Sequence, residues 1–119
     1  MRKELDERLC KKYPNLYKQQ YMCWGFCCGD GWYDILDELS AKLEPCGVEV
    51  MQVKEKFGTL RFYVAGIDLK FFDKVQKYIR EAEKKSAHTC EYCGDTETAK
   101  QRGGGWIKTL CNKCAKEIK

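Results

Sequence analysis

The sequence lacks several features that would mark it as an enzyme or a membrane protein. Its 119 residues include one histidine, His88, which we expect to be a solvated residue of a short joint. No nucleophile is paired with it, and neither a phosphate-binding loop nor a dinucleotide fingerprint is present. No apolar run could span a membrane, and the charged start MRKELDERLCKKYP contains no apolar signal segment. We therefore expect a cytoplasmic protein that is not an enzyme and contacts no membrane.

A large net charge is also missing. The formal charge is +4, with six acids and one base in residues 21–53 and fifteen bases and nine acids in residues 54–119. If four thiolates hold one divalent ion, the net charge falls to about +2. A surface that binds phosphates without sequence preference normally needs more positive charge. The composition therefore disfavours nucleic acid as the partner.

Cysteine, by contrast, is abundant, with nine residues. A disulfide scaffold of this density would require a secretion signal, so the cysteines favour metal binding. Cys90, Cys93, Cys111 and Cys114 form the pattern C-x2-C-x17-C-x2-C. Two such pairs suit one structural zinc ion held by four soft thiolates, with no open position to activate water. A redox C-x-x-C motif is the alternative, and two pairs at this spacing argue against it.

The remaining cysteines allow two interpretations. Four of them could form a second metal site, namely Cys23, Cys27, Cys28 and Cys46. Alternatively, these residues and Cys10 are small buried hydrophobic side chains, as cysteines without disulfides often are. We favour the second interpretation.

Apolar periodicity predicts an α+β fold. Stripes of period 3.6 predict three helices, at residues 3–13, 31–44 and 68–86. Asp30 and Asp68 are expected to cap the second and third of these helices. Residues 48–64 predict a two-stranded antiparallel hairpin with Gly58 in its turn, although the first strand alternates poorly.

The chain is predicted to divide into an α+β domain, residues 1–87, and a four-cysteine zinc finger, residues 88–119. Gly94 directly after Cys93 is typical of a zinc knuckle, and GGGWIKTL suggests a hairpin arm. Cys111 and Cys114 introduce AKEIK, which places them at the N-terminus of a helix, where amides and the helix dipole favour thiolates. A knuckle, a hairpin and a helix that carries the last two ligands describe a treble clef.

The C-terminal segment is similar to a GATA-type zinc finger. The shared features are the spacing of CEYCGDTETA…TLCNKC, the glycine after the first pair, and Leu-Cys-Asn before the last cysteine. GATA fingers read DNA through residues of the hairpin and helix, so the resemblance implies a nucleic-acid-binding regulator as the alternative function. Here Gln101, Arg102 and three glycines stand where that family has a tryptophan and paired arginines.

Three separated motifs resemble those of small zinc-containing proteins of phages and prophages. They are CGDGW at residues 28–32, VKEKFGTLRFYV at 53–64, and C-x-x-C…W-x-x-TLC-x-x-C at 90–114. The resemblance implies a phage protein, expressed in the bacterial host, that inhibits a bacterial defence protein by direct binding. It further implies an anti-CRISPR role, with a type II CRISPR effector nuclease as the expected partner.

Exposed charge on two predicted helices supplies the candidate partner-binding residues. The acidic candidates lie on the helix at 31–44, and the basic ones lie on the helix at 68–86. They are Asp34, Asp37, Glu38, Lys70, Lys74, Lys77 and Lys84. Adjacent acidic and basic elements would complement a protein surface of mixed charge.

Overall fold

The computed structural model describes residues 1–18 and 25–117, which form a mixture of helices and small sheets. The α-helices of these residues are α1 Lys3–Lys12, α2 Tyr33–Leu43, α3 Phe72–Ser86 and α4 Asn112–Glu117. The strands are β1 Phe26–Cys27, β2 Glu49–Lys56, β3 Thr59–Ala65, β4 Lys100–Arg102 and β5 Lys108–Leu110. No helix within the described residues is long and apolar enough to cross a membrane.

The helix ends differ in detail from the sequence-based expectation. The predicted range 31–44 corresponds to α2 flanked by 3-10 turns at Asp30–Trp32 and Glu44–Cys46, and a further 3-10 turn at Leu69–Phe71 precedes α3. Asp68 caps that turn, because its Oδ1 accepts a hydrogen bond from the Lys70 amide at 3.1 Å. The expectation that Asp30 caps the second helix is wrong. Its carboxylate instead pairs with Arg2, whose amide donates to Oδ1 at 2.7 Å.

The first sheet contains one strand more than the two predicted. Strands β2 and β3 pair antiparallel, and β1 joins β2 in parallel through Phe26↔Val53. The pairing of β2 shifts register between Val50 and Gln52, and this irregularity explains why the first strand alternates poorly in sequence. The short β1 has only two residues, too few to show a periodic pattern. A second sheet consists of β4 and β5, paired antiparallel.

One hydrophobic core joins the helices to the first sheet. Helices α2 and α3 pack against each other, and α3 also packs along β3. The fully buried side chains at the centre include Trp32, Leu36, Leu43, Val53 and Leu60. A smaller cluster of Leu110 and three of the four C-terminal cysteines lies outside this core. The predicted boundary after residue 87 stays a prediction.

Two side chains of α3 accept hydrogen bonds from backbone amides at the free edge of β3. The Leu60 amide donates to Ser86 Oγ at 2.8 Å, and the Phe62 amide donates to Glu83 Oε2 at 3.3 Å. An unpaired edge strand is a template for aggregation, and its buried amides would otherwise lack partners. The helix therefore packs on the sheet and also supplies acceptors for the amides at this edge.

Replacing Ser86 with alanine tests this closure. The variant leaves the buried Leu60 N–H without its acceptor, so we expect the free energy of unfolding to fall by about 2 kcal/mol. Urea-induced unfolding followed by circular dichroism measures the difference. The exposed Thr96→Ala variant is the control and should change stability by less than about 0.5 kcal/mol. Equal midpoints for Ser86→Ala and the unmodified protein would contradict the assignment.

Candidate metal centre

Four cysteine sulfur atoms meet in the C-terminal part of the chain. The Sγ atoms of Cys90, Cys93, Cys111 and Cys114 all lie within 4.8 Å of one another, and those of Cys93 and Cys111 are 3.6 Å apart. No disulfide joins these four residues. A tetrahedral metal–thiolate site holds its sulfur atoms roughly 3.8 Å apart, since each metal–sulfur bond is about 2.3 Å long. The cluster therefore could hold a metal ion.

Local backbone geometry brings the two pairs together. The amide of Gly94 donates to the carbonyl of Cys90 at 2.9 Å, and Gly94 has a φ of 84°, which a side chain would strain. The second pair lies where β5 ends and α4 begins, and the Cys114 amide donates to Cys111 Sγ at 3.4 Å. Strands β4 and β5 connect the two pairs, with Lys100 opposite Leu110.

The environment of the thiols favours a cation. Burial raises the pKa of Cys90, but hydrogen bonds from three backbone amides, the strongest from Cys111, lower it to about 7. Burial and the neighbouring sulfur atoms raise the pKa of Cys114 above its usual range. One thiol therefore ionises readily, while repulsion between thiolates opposes ionisation of the next. A divalent cation at the centre removes that repulsion, so metal binding and deprotonation are coupled.

The cluster is closed as well as compact. Cys90, Cys111 and Cys114 are buried, and only Cys93 is exposed. Four thiolates complete a tetrahedron, so no position remains at which substrate or water could bind the ion. Such a centre can stabilise a fold and offers no metal-activated nucleophile.

The other cysteines that the structure describes do not join this cluster. Cys28 and Cys46 lie in the main hydrophobic core, where burial raises the pKa of Cys28 to about 12, whereas Cys27 is exposed on β1. Among the described residues, the only cluster of potential metal ligands is the one at 90–114. Cys23 lies outside the described residues, so the second metal site stays a prediction.

The C-G-D-G-W segment docks directly on the loop that carries Cys90 and Cys93. The Gly31 amide donates to the carbonyl of Glu91 at 2.7 Å, and the buried Trp32 indole donates to the carbonyl of Thr89 at 2.9 Å. A Cβ on Gly31 would overlap the Cys90 carbonyl and would lie 2.6 Å from the Gly94 amide nitrogen. Glycine is therefore required for this approach of two backbones.

A buried charge cluster reinforces the junction. Lys108 Nζ on β5 lies 2.9 Å from Glu55 of β2 and 3.4 Å from Glu91, and the three side chains are 14%, 14% and 4% exposed. Burial disfavours the charged lysine, but the two carboxylates raise its pKa overall. Burial is also the main reason that the pKa of Glu91 is raised, despite Lys108 and a hydrogen bond from the Gly29 amide. Removing Lys108 would leave two carboxylates desolvated.

The turn between β2 and β3 makes a second contact with the cysteine-rich segment. The Thr109 hydroxyl donates to the Gly58 carbonyl, and Gln101 Nε2 donates to the Phe57 carbonyl at 3.2 Å. The Gly58 amide in turn donates to Glu55 Oε2 at 2.8 Å. The three sequence motifs thus meet at one junction. Sequence reasoning missed the roles of Glu55, Glu91 and Lys108 because no spacing rule links residues so distant in the chain.

Three of the candidate partner-binding residues share one groove. Asp34, Glu38 and Lys84 line a cavity of about 740 Å³ between α2, the end of α3 and the cysteine-rich loop, together with His88. Glu38 also pairs with Lys85 at 2.9 Å, which is the main reason that its pKa is lowered.

The other candidates lie elsewhere. Asp37 is engaged internally, since its carboxylate accepts from Tyr13 Oη at 2.7 Å and pairs with Lys12 at 2.9 Å. Lys70, Lys74 and Lys77 lie on or beside α3 and form no ion pair with the described carboxylates. The structure therefore brings two of the acidic candidates, Asp34 and Glu38, together with one basic candidate, Lys84.

A Gly31→Ala variant tests the junction between the metal loop and the rest of the protein. The new methyl group must displace two backbone segments, so we expect a loss of about 3 kcal/mol in the free energy of unfolding and faster metal release to a chelator. Gly105→Ala is the matched control, because a Cβ there meets nothing within 4 Å. Denaturant titration and competition with a chromogenic chelator measure the two effects. Unchanged metal release in Gly31→Ala would show that the loop does not depend on this contact.

The chain matches no protein-family model, no curated protein and no solved structure. The resemblances drawn from its motifs therefore stay predictions. A functional assignment depends on the geometry of the described residues.

Proposed function

We propose that this chain is a non-catalytic, zinc-stabilised protein that acts by binding another protein. The observation that carries the proposal is the closed cluster of four sulfur atoms within 4.8 Å of one another. Four thiolates at this spacing suit zinc, which prefers soft ligands in a tetrahedron and uses such sites to stabilise folds. The loop at Gly94, the paired strands β4 and β5, and Cys114 on α4 support a treble-clef module.

The mixed-charge groove supports a protein as the partner. It presents carboxylates of Asp34 and Glu38 beside the ammonium group of Lys84, with the apolar Ile35 among its lining residues. Alternating charge around an apolar floor selects a partner by complementarity and raises the association rate. The two carboxylates are balanced by Lys84 and Lys85, so the lining offers a polyanion no excess of positive charge and favours a protein over nucleic acid.

The three motifs suggest which protein that is. They resemble those of small zinc-containing phage and prophage proteins, and that resemblance supports an inhibitor of a bacterial immune effector. In this proposal the chain is expressed by a phage in the bacterial cytoplasm and binds a type II CRISPR effector nuclease. Inhibition would follow from occupying a surface that the nuclease needs.

The alternative, a regulator that reads duplex DNA through its zinc finger, has weaker support. Its candidate phosphate contacts are Lys100, Arg102, Lys108, Lys113 and Lys116. Lys108 is engaged with two buried carboxylates, and Arg102 donates to the Leu110 carbonyl at 2.9 Å and to Asn112 Oδ1 at 2.6 Å. These two cations are engaged within the module, so fewer cations are available to contact the phosphates of DNA.

Removing one ligand tests the structural role of zinc. We expect one zinc ion per chain by elemental analysis, and loss of that ion together with unfolding of residues 88–119 in Cys111→Ser. Binding of zinc by such sites contributes about 10 kcal/mol or more, so its loss cannot be absorbed by a module this small. Cys10→Ser is the control and should retain the metal. A Cys111→Ser variant that lost zinc and kept full stability would contradict the proposal.

Charge reversal in the groove tests the partner. Asp34→Lys combined with Lys84→Glu should weaken binding to a purified type II CRISPR effector by at least about tenfold, as measured by surface plasmon resonance. Glu4→Lys combined with Lys11→Glu, at two exposed positions of α1, is the matched control and should bind normally. If the unmodified protein does not bind the effector, the assigned partner is wrong. Equal loss in both variants would remove the groove from the interface.

A further inference from the structure

The outer face of the first sheet carries cations and no carboxylate between residues 52 and 63. Val53, Leu60 and Phe62 point into the core, so the residues that alternate with them point outward. The outward residues pair across the strands as Gln52↔Tyr63, Lys54↔Arg61 and Lys56↔Thr59. Glu55 lies on the core side and is engaged with Lys108. The face is therefore a basic surface, distinct from the mixed-charge groove.

Three exposed aromatic rings belong to this surface and to the two turns beside it. Tyr63, Phe57 and Trp106 are 45%, 61% and 70% exposed. Each ring has a lysine ammonium group near it: Lys54 at 5.6 Å from Tyr63, Lys56 at 5.5 Å from Phe57, and Lys108 at 5.0 Å from Trp106. Tyr63 and Phe57 each lie beside a lysine of β2, whereas the lysine beside Trp106 is the one held by Glu55 on the core side of the sheet. Exposed rings next to cations can stack on the bases of a ligand while the cations contact its phosphates.

The two turns bring Phe57 and Trp106 to neighbouring positions. A Cβ on Gly58 would lie 3.2 Å from Ile107 Cγ2, so the two turns approach each other at the residues that follow Phe57 and Trp106. Phe57 adopts a φ of 54°, in the left-handed region that a bulky side chain occupies only at an energetic cost. A two-residue hairpin turn of this kind requires positive φ at both positions, and this chain meets the requirement with an exposed phenylalanine where asparagine or glycine is usual.

The lysines of this surface favour single-stranded nucleic acid over a protein as the partner. Lysine is depleted at protein–protein interfaces, whereas tryptophan, tyrosine and arginine are enriched. Single-stranded nucleic acid, by contrast, is bound by grooves and sheets on which bases stack on aromatic rings while cations contact the phosphates. From Thr59 to Tyr63 the platform is roughly 13 Å long at about 3.3 Å per residue, with Lys54 and Arg61 between its aromatic ends.

We infer that the outer face of β2 and β3, with the Phe57 and Trp106 turns, binds single-stranded nucleic acid without strong sequence preference. The rings stack on successive bases, and the cations Lys54, Lys56 and Arg61 contact the intervening phosphates. Lys108 does not take part directly, because it is bound by Glu55 and Glu91. The inference is independent of the proposed protein partner and of the groove that would bind it.

Fluorescence anisotropy with a labelled oligothymidine of about ten nucleotides tests this inference. The zinc-loaded protein should bind it, and log K should fall with log salt at a slope of roughly −2, as expected for three phosphate contacts. Trp106→Ala should weaken binding by about tenfold, the effect of losing one stacked base. Phe57→Asn should also weaken binding without lowering the free energy of unfolding, because asparagine tolerates a positive φ. That combination separates a binding role from a structural one.

Matched controls come from the far side of the molecule. Phe72→Ala and Lys74→Ala remove an exposed ring and an exposed cation from α3, and both should bind the oligonucleotide normally. No anisotropy change with the unmodified protein would overturn the inference, as would an equal loss of affinity in the α3 variants. Equal affinity for polyglutamate and the oligonucleotide would also overturn it, since an acidic protein would then be the ligand of this surface.

Discussion

The close approach of two backbone segments, Gly29–Trp32 and Cys90–Gly94, determines how the rest of this structure is assembled. Neither glycine of the first segment has room for a Cβ, and the Gly31 amide donates to the Glu91 carbonyl at 2.7 Å. Because the second segment carries two cysteine ligands, its conformation is also dictated by the cluster. The position of α2, which begins directly after Trp32, is therefore coupled to the metal site. A metal ion held by the four thiols would brace this contact, because binding of the ion and folding of the segment that ligates it are coupled.

The buried charges follow from the same approach. Glu91 lies between two cysteine ligands, and packing against Gly29 places its carboxylate inside the protein. A carboxylate there requires compensation, which Lys108 of β5 supplies, and Lys108 in turn holds Glu55 of β2. The cost of desolvating three charges is offset only while all three remain in place. The charge cluster thus favours one arrangement of the sheet relative to the cysteine-rich segment, because loss of any one of the three side chains leaves buried charge uncompensated.

Patterns in the sequence predicted the features that depend on interactions between residues close together in the chain. The three helices follow from apolar periodicity, and the spacing of Cys90, Cys93, Cys111 and Cys114 anticipated their cluster. Asp68 caps the 3-10 turn that leads into the third helix and does not cap α3 itself. The sequence patterns did not indicate the contacts between residues that are far apart in the chain. The two-residue β1 forms by pairing with the edge of β2. Asp30 does not cap a helix because its carboxylate binds Arg2, which lies 28 residues earlier. Likewise, nothing in the spacing of Glu55, Glu91 and Lys108 indicates that they meet.

The placement of the motifs bears on where function resides. Residues of all three motifs are engaged with one another at the junction, as Gly31 with Glu91 and Gly58 with Thr109 illustrate. Side chains that are buried at this junction cannot also contact a partner, whereas exposed residues of the same motifs, such as Phe57 and Tyr63, can. Within residues 1–18 and 25–117, two surfaces are candidates for binding: the groove beside Asp34 and Lys84, and the basic aromatic face around Tyr63. They differ in charge, so one partner of uniform chemistry cannot satisfy both. A complex of protein with nucleic acid could, and the proposed target, an RNA-guided nuclease, is of that class.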